Sequence, residues 1–314
     1  MNNEFINIYT GFLKKILIPQ RELKVVFDCS NGTAGLILKN LLKPEINPPT
    51  GGLKPIFLNE KPNGNFPAHG PNPLMSGALK QIQKSILKNK ADFGAIFDAD
   101  GDRVFFIDNL GRFVNPDIIA RLLIWHLKPK KAIIDIRTGW QVRKPMPYDQ
   151  QPTTSNQQLI ISRVGHYFIK KMMRKVKADF GAEYSGHYYF RKFFYTDSGI
   201  LAAIETINAI SKLPYKFSDF IDLLPQYYRS GELNFKVRDK EKLIKFIEKK
   251  YKNNSAKISK LDGLTMEFKN YWFNLRPSNT EPLIRLNIEA TSKKLLNQKI
   301  KEFKKLFIVQ RVWF

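Results

Sequence analysis

Apolar and polar positions along the chain fall into blocks of two periods. Phe5, Ile8, Tyr9, Phe12, Leu13 and Ile16 share one helical face and predict an amphipathic helix ending before Pro19. Lys24 to Asp28 reads as a buried strand, and Cys29-Ser30-Asn31-Gly32-Thr33 as a tight turn into a helix, because Asn-Gly tolerates positive φ. Asn47 to Pro73 is rich in Pro and Gly around one short strand, Pro55 to Leu58. Asn72-Pro73 then predicts the start of a helix reaching about Leu87. Two β-type runs, Phe93 to Phe97 and Val104 to Ile107, flank a polar six-residue turn. Up to about Asp108 the order is strand, helix, strand, helix, strand, strand, which is one α/β unit.

A second unit opens at Asn115-Pro116 with a helix to about Leu127, followed by a buried strand from Lys131 to Ile136. The segment TGWQVRKPMPYDQQPTTSN has no periodicity and reads as an unusually long loop. Leu159 to Arg163 is strand-like, and Gly165 opens a helix with Phe168, Ile169, Met172 and Met173 on its apolar face. Asp197 is the expected cap of a helix over Ser198 to Ser211. From Gly231 the pattern changes to strand (Leu233 to Val237), helix (Asp239 to Tyr251), three strands near Ala256 to Leu261, Leu264 to Phe268 and Tyr271 to Leu275, a strand (Leu283 to Glu289) and a helix (Ser292 to Phe307). The expected fold is therefore α/β: two three-layer α/β/α domains (1–108 and 109–228), then a smaller α+β domain (229–314) with a mainly antiparallel sheet.

Composition adds limits. A chain of 314 residues, 43% apolar, can bury two or three cores. No apolar run approaches the roughly 18 residues of a membrane span, and MNNEFINIYTGF lacks the pattern of a signal peptide, so no membrane partner is expected and the cytoplasm is the expected compartment. Cys29, the single cysteine, cannot form an internal disulfide and is expected as a small buried apolar residue. A net charge of +24 would favour acidic partners. The lysines are scattered through helical stretches, however, and no recognition motif accompanies them, so solvated faces outweigh a nucleic-acid footprint.

Three stretches carry candidate chemistry. Asp98, Asp100 and Asp102, at alternate positions before Arg103, cannot all enter a packed core without a compensating charge. Oxygen-only ligation suits Mg²⁺. A calcium loop would need Gly at its sixth and Glu at its twelfth position, where Arg103 and Asn109 stand. The plain alternative is a solvated acidic turn. Arg276-Pro277-Ser278-Asn279-Thr280-Glu281-Pro282, with Arg285 close behind, offers what a phosphate dianion needs, or is an ordinary polar turn between strands. Glu183 to His187 mixes donors and acceptors that suit sugar hydroxyls. No nucleophile elbow surrounds Ser185, which argues against hydrolase chemistry. His166, at a helix start, either meets a ligand or caps the helix.

Taken together, VVFDCSNGTAG, FPAHGPNP, FDADGDRVFFID, RVGHYFIKKMM, GAEYSGHYYF with TDSG, and RPSNTEPLIRLNIEA resemble the α-D-phosphohexomutase superfamily, the phosphomannomutases and phosphoglucomutases. The resemblance implies Mg²⁺ on Asp98, Asp100 and Asp102, with Arg103 facing the phosphoryl group in transit. Glu183 and Ser185 would bind sugar hydroxyls with His187 supporting their loop. His166, and Arg137 where relatives usually carry lysine, would line the same cleft. Arg276, Ser278, Asn279, Thr280 and Arg285 would grip the phosphate that is not transferred. The implied ligands are glucose or mannose 1- and 6-phosphates.

Family members have four domains, and the three expected here correspond to the second, third and fourth. The first carries the phosphorylated serine in a Thr-Ala-Ser-His-Asn-Pro type loop, and no such string occurs in this sequence. The expectation is a chain incapable of phosphoryl transfer alone: a truncated frame, one part of a split enzyme with a separately encoded N-terminal domain, or a non-catalytic sugar-phosphate binder. Two smaller departures accompany this. Ala99 stands where glycine is common, which requires a negative φ, and Arg143 to Asn156 replaces what is usually a helix.

Overall fold

Residues 3–42, 52–144, 157–237, 239–255, 257–278 and 281–312 are described by the structure, a computed structural model of the chain. The first sheet is built from α1 (Asn3–Lys14), β1 (Leu23–Asp28), α2 (Ala34–Leu41), β2 (Leu53–Leu58), α3 (Lys80–Asn89), β3 (Phe93–Phe97), β4 (Val104–Asp108) and β5 (Phe113–Val114). Its order is β2-β1-β3-β4-β5, parallel across the first three strands and antiparallel across the last two. The central strands are covered on both faces, which is why they read as unbroken apolar runs. On one face Ile82 and Ile86 of α3 meet Val26, Ile96, Phe105 and Ile107. The other face packs on α1 and α2 through Leu13, Val25, Phe27 and Leu38. The helix expected from Asn72 starts only at Lys80. Asn72 Oδ1 instead accepts from Leu74 N in a turn, and Gly77 at φ +85° cannot continue a helix.

The second unit runs α4 (Pro116–Leu127), β6 (Lys131–Asp135), α5 (Trp140–Arg143), β7 (Gln158–Ser162), α6 (His166–Val176), β8 (Phe180–Ala182), β9 (Tyr188–Phe190), β10 (Thr196–Asp197), α7 (Gly199–Ser211) and α8 (Phe217–Asp222), with sheet order β10-β9-β8-β6-β7. Again both faces are covered, by α6 on one side and by α4 and α7 on the other. Three expectations change. The supposed loop after Thr138 contains the short helix α5, and its remainder, 145–156, lies outside the described residues. Helix α7 is capped by Ser198, whose hydroxyl accepts from Leu201 N at 3.1 Å, and not by Asp197, whose carboxylate is engaged elsewhere. Helix α8 was not expected from the pattern.

Helix α7 is buried along its whole length: it packs on α4 and on strands β3 and β4, and the segment that follows α1 crosses it. Asn208 of α7 bonds both Ile18 N (2.9 Å) and Ile16 O (2.7 Å), Ser211 accepts from Gln20 N (2.9 Å), and Tyr9 and Phe12 stack on Phe193. One apolar core consequently runs through both α/β units.

The last unit consists of β11 (Tyr228–Lys236), α9 (Lys240–Tyr251), β12 (Lys257–Ser259), β13 (Leu264–Glu267), β14 (Tyr271–Pro277), β15 (Leu283–Ala290) and α10 (Lys293–Val312). Its sheet, β11-β15-β14-β13-β12, is antiparallel throughout. Phe273, Leu275, Leu286 and Ile288 pack under α9 and α10, so the alternate residues Trp272, Asn274, Arg276, Arg285, Asn287 and Glu289 face the other way. That polar face turns toward the second unit: Glu289 accepts from Trp140 N at 2.8 Å and Asp262 from Val164 N at 3.0 Å. Among the described residues no helix is long and apolar enough to cross a membrane.

Candidate active site

The acidic turn leaves β3 at its C-terminal end. Asp98, 2% exposed, accepts from Gly101 N (3.1 Å), Arg103 N (3.2 Å) and Arg103 Nε (2.5 Å), which folds the turn around its own first carboxylate. Oxygens of Asp98, Asp100 and Asp102 gather within 4.8 Å of one another. Burial pushes the Asp98 pKa up, and Arg103 only partly opposes this. Crowded, partly buried oxygen donors of this kind match a hard divalent cation such as Mg²⁺. The turn after β1 holds the loop from behind: Thr33 N donates to Ala99 O (2.9 Å), Thr33 Oγ1 to Asp100 O (3.0 Å) and Ser30 Oγ to Phe97 O (2.5 Å). Gly32 is required there, since a Cβ would lie 2.2 Å from Ala99 O. Ala99 itself is not among the residues of positive φ, as its side chain demands.

The second loop, Glu183 to His187, touches the first. Val104 N donates to Gly186 O (3.2 Å), Arg103 and His187 form an antiparallel bridge, and Gly199 N at the start of α7 donates to Gly101 O (3.0 Å). His187 Nδ1 lies 2.9 Å from Asp197 Oδ2 and 3.7 Å from Asp102 Oδ2. Burial disfavours the imidazolium, but Asp197, Asp102 and Glu183 outweigh it and raise the His187 pKa. Lys170, 2.7 Å from Asp197, and His187 hold the Asp197 carboxyl well below its ordinary range against its own burial.

Glu183, 3% exposed, accepts from Gly165 N (2.8 Å) and Tyr189 OH (2.5 Å), so it ties the loop to the start of α6. Ser185 is half-buried and His166 is exposed on the first turn of α6. Arg137 sits deeper than a cleft-lining group: its guanidinium grips Asp135 twice (3.2 and 2.8 Å) and lies 3.8 Å from Glu183.

The third stretch lies at the β14–β15 turn. Arg276 and Arg285 are cross-strand partners, and Glu232 of β11 takes one nitrogen of each (3.0 and 3.2 Å). Arg276 Nε, Arg285 Nε and the hydroxyl of Ser278, a residue 5% exposed, are buried and have no hydrogen-bond partner among the described residues. Orphaned donors on two guanidiniums and a serine describe a place prepared for an anion. Asn279 and Thr280 lie outside the described residues. Lys240 Nζ, donating to Ser278 O (3.0 Å) and Glu281 O (3.3 Å), was missed by sequence reasoning, as was Glu232; neither belongs to a motif, and only the fold brings them to the turn.

Three models of phosphoglucomutase/phosphomannomutase domains match the chain in order: α/β/α domain II over 4–111, α/β/α domain III over 115–228, and the C-terminal domain over 232–306. The chain belongs to the phosphoglucomutase/phosphomannomutase family. It is 35% identical over 295 residues to a phosphomannomutase of Methanocaldococcus jannaschii, covering 94% of this chain and 63% of that protein. A phosphomannomutase of Vibrio cholerae is 34% identical over 329 residues, covering 97% and 69%. A solved phosphoglucomutase/phosphomannomutase family protein of Burkholderia thailandensis shares the fold, with a TM-score of 0.80 at 24% identity over 98% of this chain and 64% of that one. The chain thus spans about two thirds of the length of the relatives it matches.

Proposed function

We propose that these residues form the metal, sugar and phosphate parts of a Mg²⁺-dependent phosphohexomutase that moves a phosphate between the 1- and 6-positions of glucose or mannose. The observation that carries the reading is the direct contact between the acidic loop and the Glu183–His187 loop. The three carboxylates that would take a cation then lie beside the groups that would bind hydroxyls. Residues 1–108 would carry the metal loop, 109–228 the sugar loop and 229–314 the phosphate turn.

Asp98, Asp100 and Asp102 would hold Mg²⁺, which when bound neutralises charge on the oxygens of a phosphoryl group. Arg103 lies on the same loop and adds a fixed positive charge there. Glu183 and Ser185 would orient the sugar hydroxyls, with His166 beside them at the start of α6. Arg137 acts from behind, through Asp135 and Glu183. His187, held between Asp197 and Asp102, steadies the loop against the acidic turn. Arg276, Ser278 and Arg285, with Asn279 and Thr280, would grip the phosphate that stays on the sugar.

The serine that gives and recovers the phosphate has no counterpart string among the 314 residues. In this reading it comes from a domain outside them, and the chain alone binds hexose phosphates without turning them over. A soluble sugar phosphate as substrate accords with the cytoplasm. Interconversion of glucose 1- and 6-phosphate, and of the mannose pair, is measured with the chain alone and with a serine-loop domain added. Activity only in the mixture supports the reading, and turnover by the chain alone overturns the need for a second component.

A further inference from the structure

One buried charge cluster takes no part in the chemistry above. Arg229 stands near the start of β11, with its side chain 8% exposed. It pairs with Asp117 at the start of α4 and donates to the backbone carbonyl of Arg137. Its guanidinium lies 3.9 Å from the ring centre of Tyr184 and 5.6 Å from that of Trp272, and its Nε lies 3.6 Å from Glu289 Oε2. Four stretches remote in sequence therefore converge on one side chain: α4, the segment after β6, the sugar loop and the polar face of the last sheet.

The surrounding bonds extend this convergence in both directions. Tyr184 N donates to Asp135 (2.9 Å), the carboxylate that holds Arg137, while Glu289 accepts from Trp140 N (2.8 Å) and Trp272 Nε1 (2.9 Å). On β11 itself, a bulge between Arg229 and Glu232 separates the residue that stacks on the sugar loop from the residue that takes both phosphate-turn arginines. One short piece of strand is thus attached to the sugar loop at one end and to the phosphate turn at the other.

Stability alone gives little reason for this arrangement. Removing a guanidinium and two carboxylates from water costs much of what their attraction returns, and apolar side chains of similar volume would serve a core as well. What the planar fork and the stacked ring do supply is fixed geometry. A ligand held at two points gains from the second contact only while the two sites keep their separation.

We propose that Arg229 is a positioning residue that fixes the sugar loop relative to the phosphate turn, so that a hexose phosphate is gripped at both ends. The inference rests on the functional reading above. It predicts a selective defect, since a single-point ligand does not need the two sites in register.

Calorimetry on the 314-residue chain compares glucose 6-phosphate with inorganic phosphate. For R229K, which keeps the buried charge but loses the fork, and for R229Q, affinity for glucose 6-phosphate is expected to fall about tenfold or more, with inorganic phosphate changed less than about twofold. Equal loss of both ligands, or loss of neither, overturns the inference. A wild-type chain that holds glucose 6-phosphate no better than inorganic phosphate overturns the functional reading and this inference with it. A measurement that needs no variant guards against loss of fold: saturating inorganic phosphate should slow amide exchange across 183–187 in the wild type, and unchanged exchange there counts against the coupling.

Discussion

Asp98 is the residue around which the acidic loop folds. It is nearly inaccessible, it organises its own loop through Gly101 and Arg103, and burial raises its pKa although a guanidinium touches it. Asp100 and Asp102 lie nearer solvent and bear less of the loop's structure. Asp100→Asn or Asp102→Asn should therefore weaken Mg²⁺ binding by about tenfold or more in calorimetry, with the melting temperature nearly unchanged. His69 offers a different test. Its Nε2 lies 3.2 Å from both oxygens of buried Asp28, and that bond raises the His69 pKa against the opposing effect of burial. The stabilisation is fully present below the unfolded value of about 6.5 and is lost as pH rises through the higher folded value. Denaturant titrations from pH 5 to 9 should show this loss in the wild type, and His69→Asn should flatten it.

Elements were legible where one physical cause fixed them and illegible where two competed. Periodicity and cap signals placed α1, α4, α6 and α9 and every strand of the first two sheets that is longer than three residues, because burial on one or both faces leaves a pattern in the chain itself. It failed after Asn72, where the cap signal was used by an isolated turn and Gly77 delayed α3 to Lys80. It also placed the start of β11 at Leu233, five residues late, since the polar segment Tyr228 to Glu232 pairs with β15 through a bulge that no alternation announces. The turn at 30–33 is an element whose role only packing reveals. Gly32→Ala should push against Ala99 O and cost roughly 1–3 kcal/mol, read as a drop in the denaturation midpoint. Thr33→Val, which removes one hydroxyl bond to Asp100 O, should leave stability within about 1 kcal/mol yet weaken Mg²⁺ binding severalfold.

For the whole molecule the governing fact is that one apolar core serves two sheets while the third sheet meets them through polar groups. The orphaned donors of Arg276, Ser278 and Arg285 belong to that third unit, so Ser278→Ala and Arg276→Gln should lower inorganic phosphate affinity at least about threefold without disturbing Mg²⁺ binding. Cross-effects on Mg²⁺ would show that the sites are not separate. The sequence alone determined the order of the elements, the division into two α/β units and an α+β unit, and the acidic turn, the Glu183–His187 loop and the Arg276–Pro282 turn as the stretches rich in polar chemistry. Each of these is written locally, in periodicity, turn chemistry and motif. The tertiary structure decided which turns touch, that Arg137 is held behind the Glu183–His187 loop, that Ser198 caps α7 while Asp197 faces His187, that Arg229 meets Asp117, and that Glu232 and Lys240 reach the β14–β15 turn. Most of these depend on contacts between residues far apart in the chain, 112 positions for Arg229 and Asp117, and no local pattern in the chain encodes such a distance.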